Sequence, residues 1–337
     1  MLHTLNINGQ TVQARSGETL VDAALSGKVL IPHDCATGQC ETCRVNIPWG
    51  EVDAAGTSYG DTVLACQARV CGDATILFEQ PPQAVREPGR LETITPLSDD
   101  VVEITVRSRE PLAYRPGQYV KLAFEGYPAR EYSFSAKMDQ DSDPDVNVFQ
   151  IKRLKAGRVS TALGNAIRPG HRASLHGPFG SAFLREQEEG PLVLTASGTG
   201  FAPIWSLAKA AIKTNTKRPI SLIAGVRTPA DLYMQPALNW LRDHGHDDIK
   251  VSARHEAKGE ILPGQPDHYL PDLCKRTSVH VAGNPDLVER VREKALAAQA
   301  ACHADPFTPS SNQLGLMDRI RPLFKPSNLF AKVAASG

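Results

Sequence analysis

Residues 35 to 43 read Cys35-Ala36-Thr37-Gly38-Gln39-Cys40-Glu41-Thr42-Cys43, and a fourth cysteine follows in Leu64-Ala65-Cys66-Gln67. The resulting C-x4-C-x2-C…C spacing is that of a 2Fe-2S site. A short loop wraps the cluster so that three thiolates arrive from one side. Small residues such as Ala36 and Gly38 let backbone N–H groups reach the sulfurs, and a distant segment supplies the fourth thiolate. The rival reading is a structural zinc site with four cysteine ligands, which typically uses two C-x2-C knuckles; the wider gap and the solitary Cys66 disfavour it. The chain has seven cysteines. An odd total with four gathered in one region points to ligation in a reducing compartment rather than to disulfides. Cys35, Cys40, Cys43 and Cys66 are therefore the candidate metal ligands, and Cys71, Cys274 and Cys302 have no assigned role.

The chain around this stretch is acidic. Residues 1–80 hold 4 Lys or Arg against 9 Asp or Glu, residues 81–307 hold 29 against 27, and residues 308–337 hold 4 against 1, so a net charge of zero hides parts of −5, +2 and +3. An acidic first module joined to a basic remainder suggests separate units, and Gln80-Pro81-Pro82-Gln83 to Pro88-Gly89-Arg90 reads as the linker between them. We place a first domain at 1–80 and a linker at 81–90. With 37 basic and 37 acidic residues in 337, binding to nucleic acid or a membrane surface through bulk charge is not expected. No stretch approaches the roughly 18 consecutive apolar residues of a membrane span, and the N-terminus alternates like a strand where a signal peptide needs an unbroken apolar core. A cytoplasmic location is expected.

Beyond the linker, DVVEITVRS, GQYVKLAFE, REYSFSA, NVFQIKRL and RASLHGP alternate with period two. With Gly and Pro punctuation this predicts an antiparallel sheet or barrel over residues 91–188. From Pro191 the texture changes. PLVLTA, PISLIAGV, IKVSARH and SVHVAGN are short apolar strands, and helical spacing at Phe201–Ile212, Asp231–Arg242 and Asp286–Ala300 predicts strand-helix units building a parallel α/β sheet over 189–307. A 30-residue C-terminal extension, 308–337, follows; Leu316, Met317, Ile320, Leu323 and Phe324 allow a short amphipathic helix there, packed on the surface or docking to a partner or the acidic module.

Residues 1–80 resemble the ferredoxin family. The resemblance implies an α+β β-grasp fold with an opening hairpin, the helix carrying ETLVDAAL, the cluster loop and a closing ACQ segment. One departure is Glu41, where most relatives carry Gly. A carboxylate there is expected to favour the oxidised, less negative cluster.

Arg130-Glu131-Tyr132-Ser133, then Lys155-Ala156-Gly157-Arg158-Val159-Ser160 and Gly177-Pro178-Phe179-Gly180, resemble in order the motifs of the ferredoxin-NADP reductase superfamily, which binds FAD in a six-stranded antiparallel β-barrel. By that resemblance Arg130 contacts the FAD pyrophosphate, Tyr132 packs on the isoalloxazine face and Ser133 hydrogen-bonds near the nitrogen that accepts hydride. The residue types suit these roles, since a guanidinium matches phosphate bidentately and an aromatic face stacks on a planar ring. Gly157 to Ser160 is expected to open a helix whose free N–H groups point at the same pyrophosphate.

Ser197-Gly198-Thr199-Gly200-Phe201-Ala202-Pro203 follows a strand and precedes a helix, the context a glycine-rich phosphate loop requires. Its GxGxxP pattern resembles the nucleotide-binding half of the same superfamily, with Ser197 in place of a common glycine; Gly198, Thr199, Gly200 and Pro203 are the candidate contacts. Ala282-Gly283-Asn284-Pro285 resembles the segment beside the nicotinamide. Arg227 and Asp231 lie where relatives recognise the adenosine ribose. A 2′-phosphate wants paired cations, no second basic group is evident beside Arg227, and NADH is favoured over NADPH. Phe307 either shields the flavin, as aromatic termini do in several relatives, or closes the core.

The order ferredoxin, FAD, NAD resembles that of single-chain reductase components of bacterial ring-hydroxylating dioxygenases and multicomponent monooxygenases. It implies an NADH-dependent iron-sulfur flavoprotein whose partner is an oxygenase component or an intermediate ferredoxin, met through a basic face complementary to the acidic module. A similar reductase serving deoxysugar synthesis or a soluble cytochrome is the alternative, and a zinc-stabilised nucleotide-binding protein a more remote one. Hydride transfer needs alignment more than acid/base chemistry. No catalytic acid/base set is expected, and His33 beside a complete cysteine set is not expected to be a ligand.

Overall fold

The computed structural model describes residues 1–307 apart from 139–142, 144, 186–187 and 216. The extension at 308–337, and the helix expected in it, lie outside the described residues.

Three sheets follow one another along the chain. The first combines β1 (Leu2–Ile7), β2 (Gln10–Arg15), β3 (Arg44–Asp53), β4 (Thr62–Leu64) and β5 (Arg69–Leu77) in the order β2-β1-β5-β3-β4, with α1 (Leu20–Ser26) packed on it. β1 and β5 run parallel and the other pairs antiparallel, which is the β-grasp arrangement. Helix α1 starts where Thr19 caps it, its hydroxyl accepting from the Asp22 N–H at 3.1 Å. Leu20, Ala23 and Ala24 on the helix meet Leu5, Ile7 and Ile76 from the sheet. The cluster loop fills the connection from α1 to β3.

The second sheet is antiparallel throughout: β6 (Val85–Pro96), β7 (Val101–Ser108), β8 (Tyr119–Phe124), β9 (Arg130–Ser133), β10 (Val146–Lys152) and β11 (Arg172–Phe179), in the order β10-β7-β6-β11-β8-β9. A bridge from Ser135, just past β9, to Val148 of β10 joins the two edges into a barrel. Val102, Ile104, Leu122, Phe124, Phe149 and Leu175 fill it. The expected linker is shorter than 81–90, because Val85 to Arg90 already pair with Gly177 to Arg172 of β11. Pro88 sits where pairing with β7 runs out, just before Gly89; its carbonyl still accepts from Arg109 N at 3.0 Å.

The third sheet is parallel, in the order β15-β14-β13-β12-β16-β17, from β12 (Leu192–Ser197), β13 (Ile220–Val226), β14 (Ile249–Ala253), β15 (Leu262–Pro263), β16 (Ser278–Gly283) and β17 (Ala301–Pro306). Helices α2 (Phe201–Thr214), α3 (Gln235–Asp243) and α4 (Pro285–Ala297) cover its faces. The helix expected at Asp231 starts later, because Pro229–Asp231 forms a separate 3-10 turn and Pro236 opens α3 afresh. The helix expected to reach Ala300 ends at Ala297. From β12 the chain builds outward to β15 on one side and later to β17 on the other. The reversal between β12 and β16 is the switch point at which ligands bind in such sheets.

Candidate functional site

The cysteine loop holds its sulfurs in two pairs. Cys35 Sγ accepts from the N–H groups of Thr37 and Cys40, each at 3.4 Å, and Cys43 Sγ accepts from Cys66 N at 3.5 Å. Burial raises the Cys35 thiol, but the donors from Thr37 and Cys40 outweigh it and bring it down to about 7, whereas burial pushes Cys40 and Cys43 up. Around a single zinc with Zn–S near 2.3 Å, four sulfurs would all lie about 3.8 Å from one another. Among the described residues the one group of three ligand atoms gathered within 4.8 Å contains no cysteine. Paired thiolates receiving backbone N–H groups fit a dinuclear cluster instead. His33 has its Nδ1 2.9 Å from the Ile31 carbonyl.

Glu41 corrects an expectation. Its φ of 59° is the left-handed conformation that explains why glycine suits the position. Its carboxylate does not act as a lone negative charge beside the cluster: it lies 2.6 Å from Arg44 Nε and 2.8 Å from a guanidinium nitrogen of Arg292 on α4. Burial raises its carboxyl, and the two guanidiniums more than reverse that. The backbone strain of about 1–2 kcal/mol is offset by two charge-assisted hydrogen bonds, and the side chain ties the first domain to the third. Tyr59 adds to the tie by donating to the Arg292 carbonyl at 2.9 Å.

The first domain is also seated on the barrel. Asp34, beside Cys35, is held by Lys121 and by the Tyr119 hydroxyl at 2.9 Å. Gly180 N donates to Thr42 Oγ1 at 3.2 Å and Ser181 Oγ to the Glu41 carbonyl at 2.7 Å. Glu79 pairs with Arg115 and with Arg185. Asp34, Glu41 and Glu79 thus spend three of the first module's negative charges on basic residues of the other two domains. The acidic-basic split along the chain is in part an internal docking code, and it does not by itself imply a basic partner face.

On the barrel, β9 carries Arg130, Tyr132 and Ser133 along one edge. Arg130 is half-buried, its described hydrogen bond being to the neighbouring Ala129 carbonyl at 2.8 Å, and its guanidinium has donors left for a phosphate. Tyr132 packs on Phe149 of β10 with ring centroids 6.4 Å apart. The segment after β10 forms turns and no helix, contrary to expectation: Thr161 N reaches Gly157 O at 3.0 Å, and the turns continue to Ala166. Gly157 is nevertheless a close approach, since a Cβ there would stand 2.3 Å from Ser160 Oγ. Ser160 Oγ accepts from Leu154 N at 3.1 Å and keeps its own proton to donate.

At the switch point, Gly198–Gly200 forms a single 3-10 turn leading into α2, with Pro203 in the first helical turn where its missing N–H costs nothing. A Cβ on Gly200 would lie 2.3 Å from Ala282 O, and one on Gly283 would lie 2.5 Å from Ser197 O and Oγ. The two glycine segments are therefore interlocked. Ser197, the residue that departs from the family pattern, fastens them by accepting from Asn284 N at 2.9 Å. Phe307 N donates to Gly283 O at 2.7 Å, anchoring the end of β17 at the same place. Asp231 Oδ2 accepts from Thr228 N and Oγ1 at 2.9 and 3.0 Å and caps the 3-10 turn.

Two features had no signal in the sequence. Ser133 Oγ donates to Asp305 Oδ2 at 3.1 Å, joining barrel and parallel sheet beneath the position expected for the flavin, and burial raises Asp305 to about 7. Tyr233 donates to Gln150 Oε1 at 2.9 Å and sits 3.3 Å from Gly198 O, bracing the glycine loop against β10. Between the domains a cleft of about 650 Å³ is lined by Asp99, Asp100, Lys152, Arg153, Lys155 and Arg227 among others. Arg153 Nε is buried there without a partner in the described residues. Arg227 of the third domain faces Lys152, Arg153 and Lys155 of the barrel across this cleft, together with Asp99 and Asp100.

Three family models match the chain in the order of the sheets: a 2Fe-2S iron-sulfur cluster binding domain over residues 3–71, an oxidoreductase FAD-binding domain over 88–183 and an oxidoreductase NAD-binding domain over 194–293. The chain is 31% identical over 323 residues, 89% of its length and 96% of the relative's, to the ferredoxin–NAD(P)+ reductase component of the naphthalene 1,2-dioxygenase/salicylate 5-hydroxylase systems of a Ralstonia species. It is 30% identical over 289 residues, 82% and 86% of the two lengths, to the ferredoxin–NAD(P)+ reductase component of the Pseudomonas putida naphthalene 1,2-dioxygenase system. The crystal structure of Amycolatopsis cytochrome P450 reductase GcoB is similar with a TM-score of 0.67 and 26% identity, over 92% of this chain and 100% of that one.

Proposed function

The chain belongs to the family of ferredoxin–NAD(P)+ reductase components of oxygenase systems, and from that premise we propose that it draws electrons in pairs from NADH and delivers them singly to an oxygenase component or an intermediate ferredoxin. The observation that carries this reading is the seating of the cysteine loop on the barrel through Thr42 and Asp34, which puts the first domain's ligands against the flavin domain. When bound, FAD accepts two electrons together and releases them one at a time, and a 2Fe-2S cluster carries one. Arg130, Gly157 and Ser160 hold the FAD pyrophosphate, Tyr132 covers the ring, and Ser133 sets its reactive edge. Gly198, Thr199, Gly200, Pro203 and Gly283 shape the nicotinamide side, and Phe307 borders it. Cys35, Cys40, Cys43 and Cys66 hold the cluster.

NADH is the donor this cleft fits. Lys152, Arg153, Lys155 and Arg227 against Asp99 and Asp100 leave a net charge of +2, which matches the two charges of a dinucleotide pyrophosphate. An added 2′-phosphate finds no further surplus, and Lys152 is already bound to Asp100 at 2.9 Å. We expect kcat/KM for NADH to exceed that for NADPH by about tenfold or more, the worth of roughly 1.4 kcal/mol; equal values would overturn this assignment.

Asp305 is expected to make the reaction pH-dependent, because burial raises its carboxyl to about 7. Were FAD held against Ser133, a charge on Asp305 would disfavour its reduction, so the rate of flavin bleaching by NADH is expected to fall as pH rises through about 7. Asp305→Asn removes this inflection in stopped-flow measurements. An unchanged profile would place the inflection on another group.

A further inference from the structure

β16 and β17 bring His280 and His303 into register as cross-strand partners, with ring centroids 4.7 Å apart. Glu188, in the segment leading into β12, lies against them with its carboxylate oxygens 2.9 and 3.0 Å from His303 Nε2. One ligand atom from each of the three lies within 4.8 Å of the others. We propose that Glu188, His280 and His303 form a site for a divalent zinc-class cation, distinct from the cysteine site. Two imidazoles and a carboxylate are a zinc donor set with an open fourth position.

The decisive atom is Nε2 of His280. Its ring is 1% exposed, and its Nδ1 faces the Ala182 carbonyl at 3.2 Å. A carbonyl only accepts, so Nδ1 carries the proton and Nε2 presents a bare lone pair, buried and without a partner among the described residues. An unsatisfied buried acceptor is costly, and a cation satisfies it. An Nδ1–H bonded to a backbone carbonyl is also how metal-binding histidines are oriented. Ser278 donates to Glu188 and fixes the carboxylate in the same manner. The side chains of Glu188 and His303 remain 24% and 13% exposed, which leaves a way in.

In the ion-free state Arg185 donates to His303 Nδ1 at 2.9 Å, so His303 carries its proton on Nε2 and gives it to Glu188. The incoming cation takes the Nε2 lone pair, the proton moves to Nδ1, and Arg185 transfers its contact to Glu79, already 3.4 Å from its Nε. Arg185 therefore competes with the cation, and its removal strengthens binding.

The test uses the full chain carrying its iron and flavin, equilibrated with zinc and freed of excess. Elemental analysis is expected to find one zinc per chain beyond the iron, and zinc-edge X-ray absorption a shell of nitrogen and oxygen at about 2.0–2.1 Å without sulfur near 2.3 Å. Glu188→Gln and His303→Gln should lose the zinc while keeping iron and flavin, and Arg185→Gln should bind it more tightly. Should the ligand variants fail to fold, Ser278→Ala, which removes the hydroxyl that donates to the Glu188 carboxylate, should still weaken binding roughly tenfold to a hundredfold. No retained zinc in the parent protein, sulfur in the shell, or equal zinc in Ser278→Ala and parent would overturn the proposal.

Discussion

Cys66→Ser is expected to abolish NADH-dependent reduction of cytochrome c, which draws its electrons through the cluster, while leaving NADH-dependent reduction of ferricyanide intact. Cys66 comes from the segment between β4 and β5, far along the chain from the loop that supplies the other three thiolates, and its N–H contacts Cys43 Sγ at 3.5 Å. Without it, one half of the paired arrangement has a single sulfur. The damage stays local because the first sheet has a core of its own, with Leu5, Leu20 and Ile76, whereas the barrel and the parallel sheet share contacts in which Val101 and Met138 pack with Leu194 and Trp205. Hydride transfer needs only the barrel and the parallel sheet. Both activities, the visible spectrum and the FAD content can be read on one preparation. Loss of both activities in a folded, FAD-loaded variant would contradict the division of labour among the domains.

What the sequence reveals of this chain is what lies close together in it. The RxYS tetrapeptide, the GxGxxP loop and three of the four cysteines are each contiguous in the chain; alternation and helical spacing around the first two suggest a barrel and a parallel sheet, whereas the β-grasp domain rests on the resemblance to the ferredoxin family. What joins the domains is absent from such patterns. Ser133 and Asp305 meet across two domains, as do Tyr233 with Gln150 and Glu41 with Arg292, and no periodicity links partners so far apart. Glu41 shows the consequence. From composition it is a charge that tunes the cluster, and from its place in the fold it is a clamp between domains. Asp231 shows a local role that the resemblance did not suggest: one of its carboxylate oxygens accepts from Thr228 N and Oγ1 and caps a turn.

Gly283→Ala is expected to reduce NADH-driven flavin bleaching at saturating NADH by about a hundredfold, since displacing a reactant by about 1 Å costs that much. Gly283 has a φ of 118°, a conformation L side chains rarely adopt, and a Cβ there would stand 2.5 Å from both Ser197 O and Oγ. The backbone has no slack to yield, because Gly200 closes on Ala282 O from the other side, Asn284 N is fastened to Ser197 Oγ, and Phe307 N to Gly283 O. Relief must come from moving the end of β16 away from the glycine loop, which would widen the switch point proposed to hold the nicotinamide. Adding Ser197→Gly separates the causes: it removes the hydroxyl but leaves the carbonyl, so only part of the rate returns if the interlock is steric through the backbone. Full recovery would mean that the Ser197 side chain alone sets the geometry. An undiminished rate in Gly283→Ala would show that nicotinamide alignment does not depend on this crossing of β12 and β16.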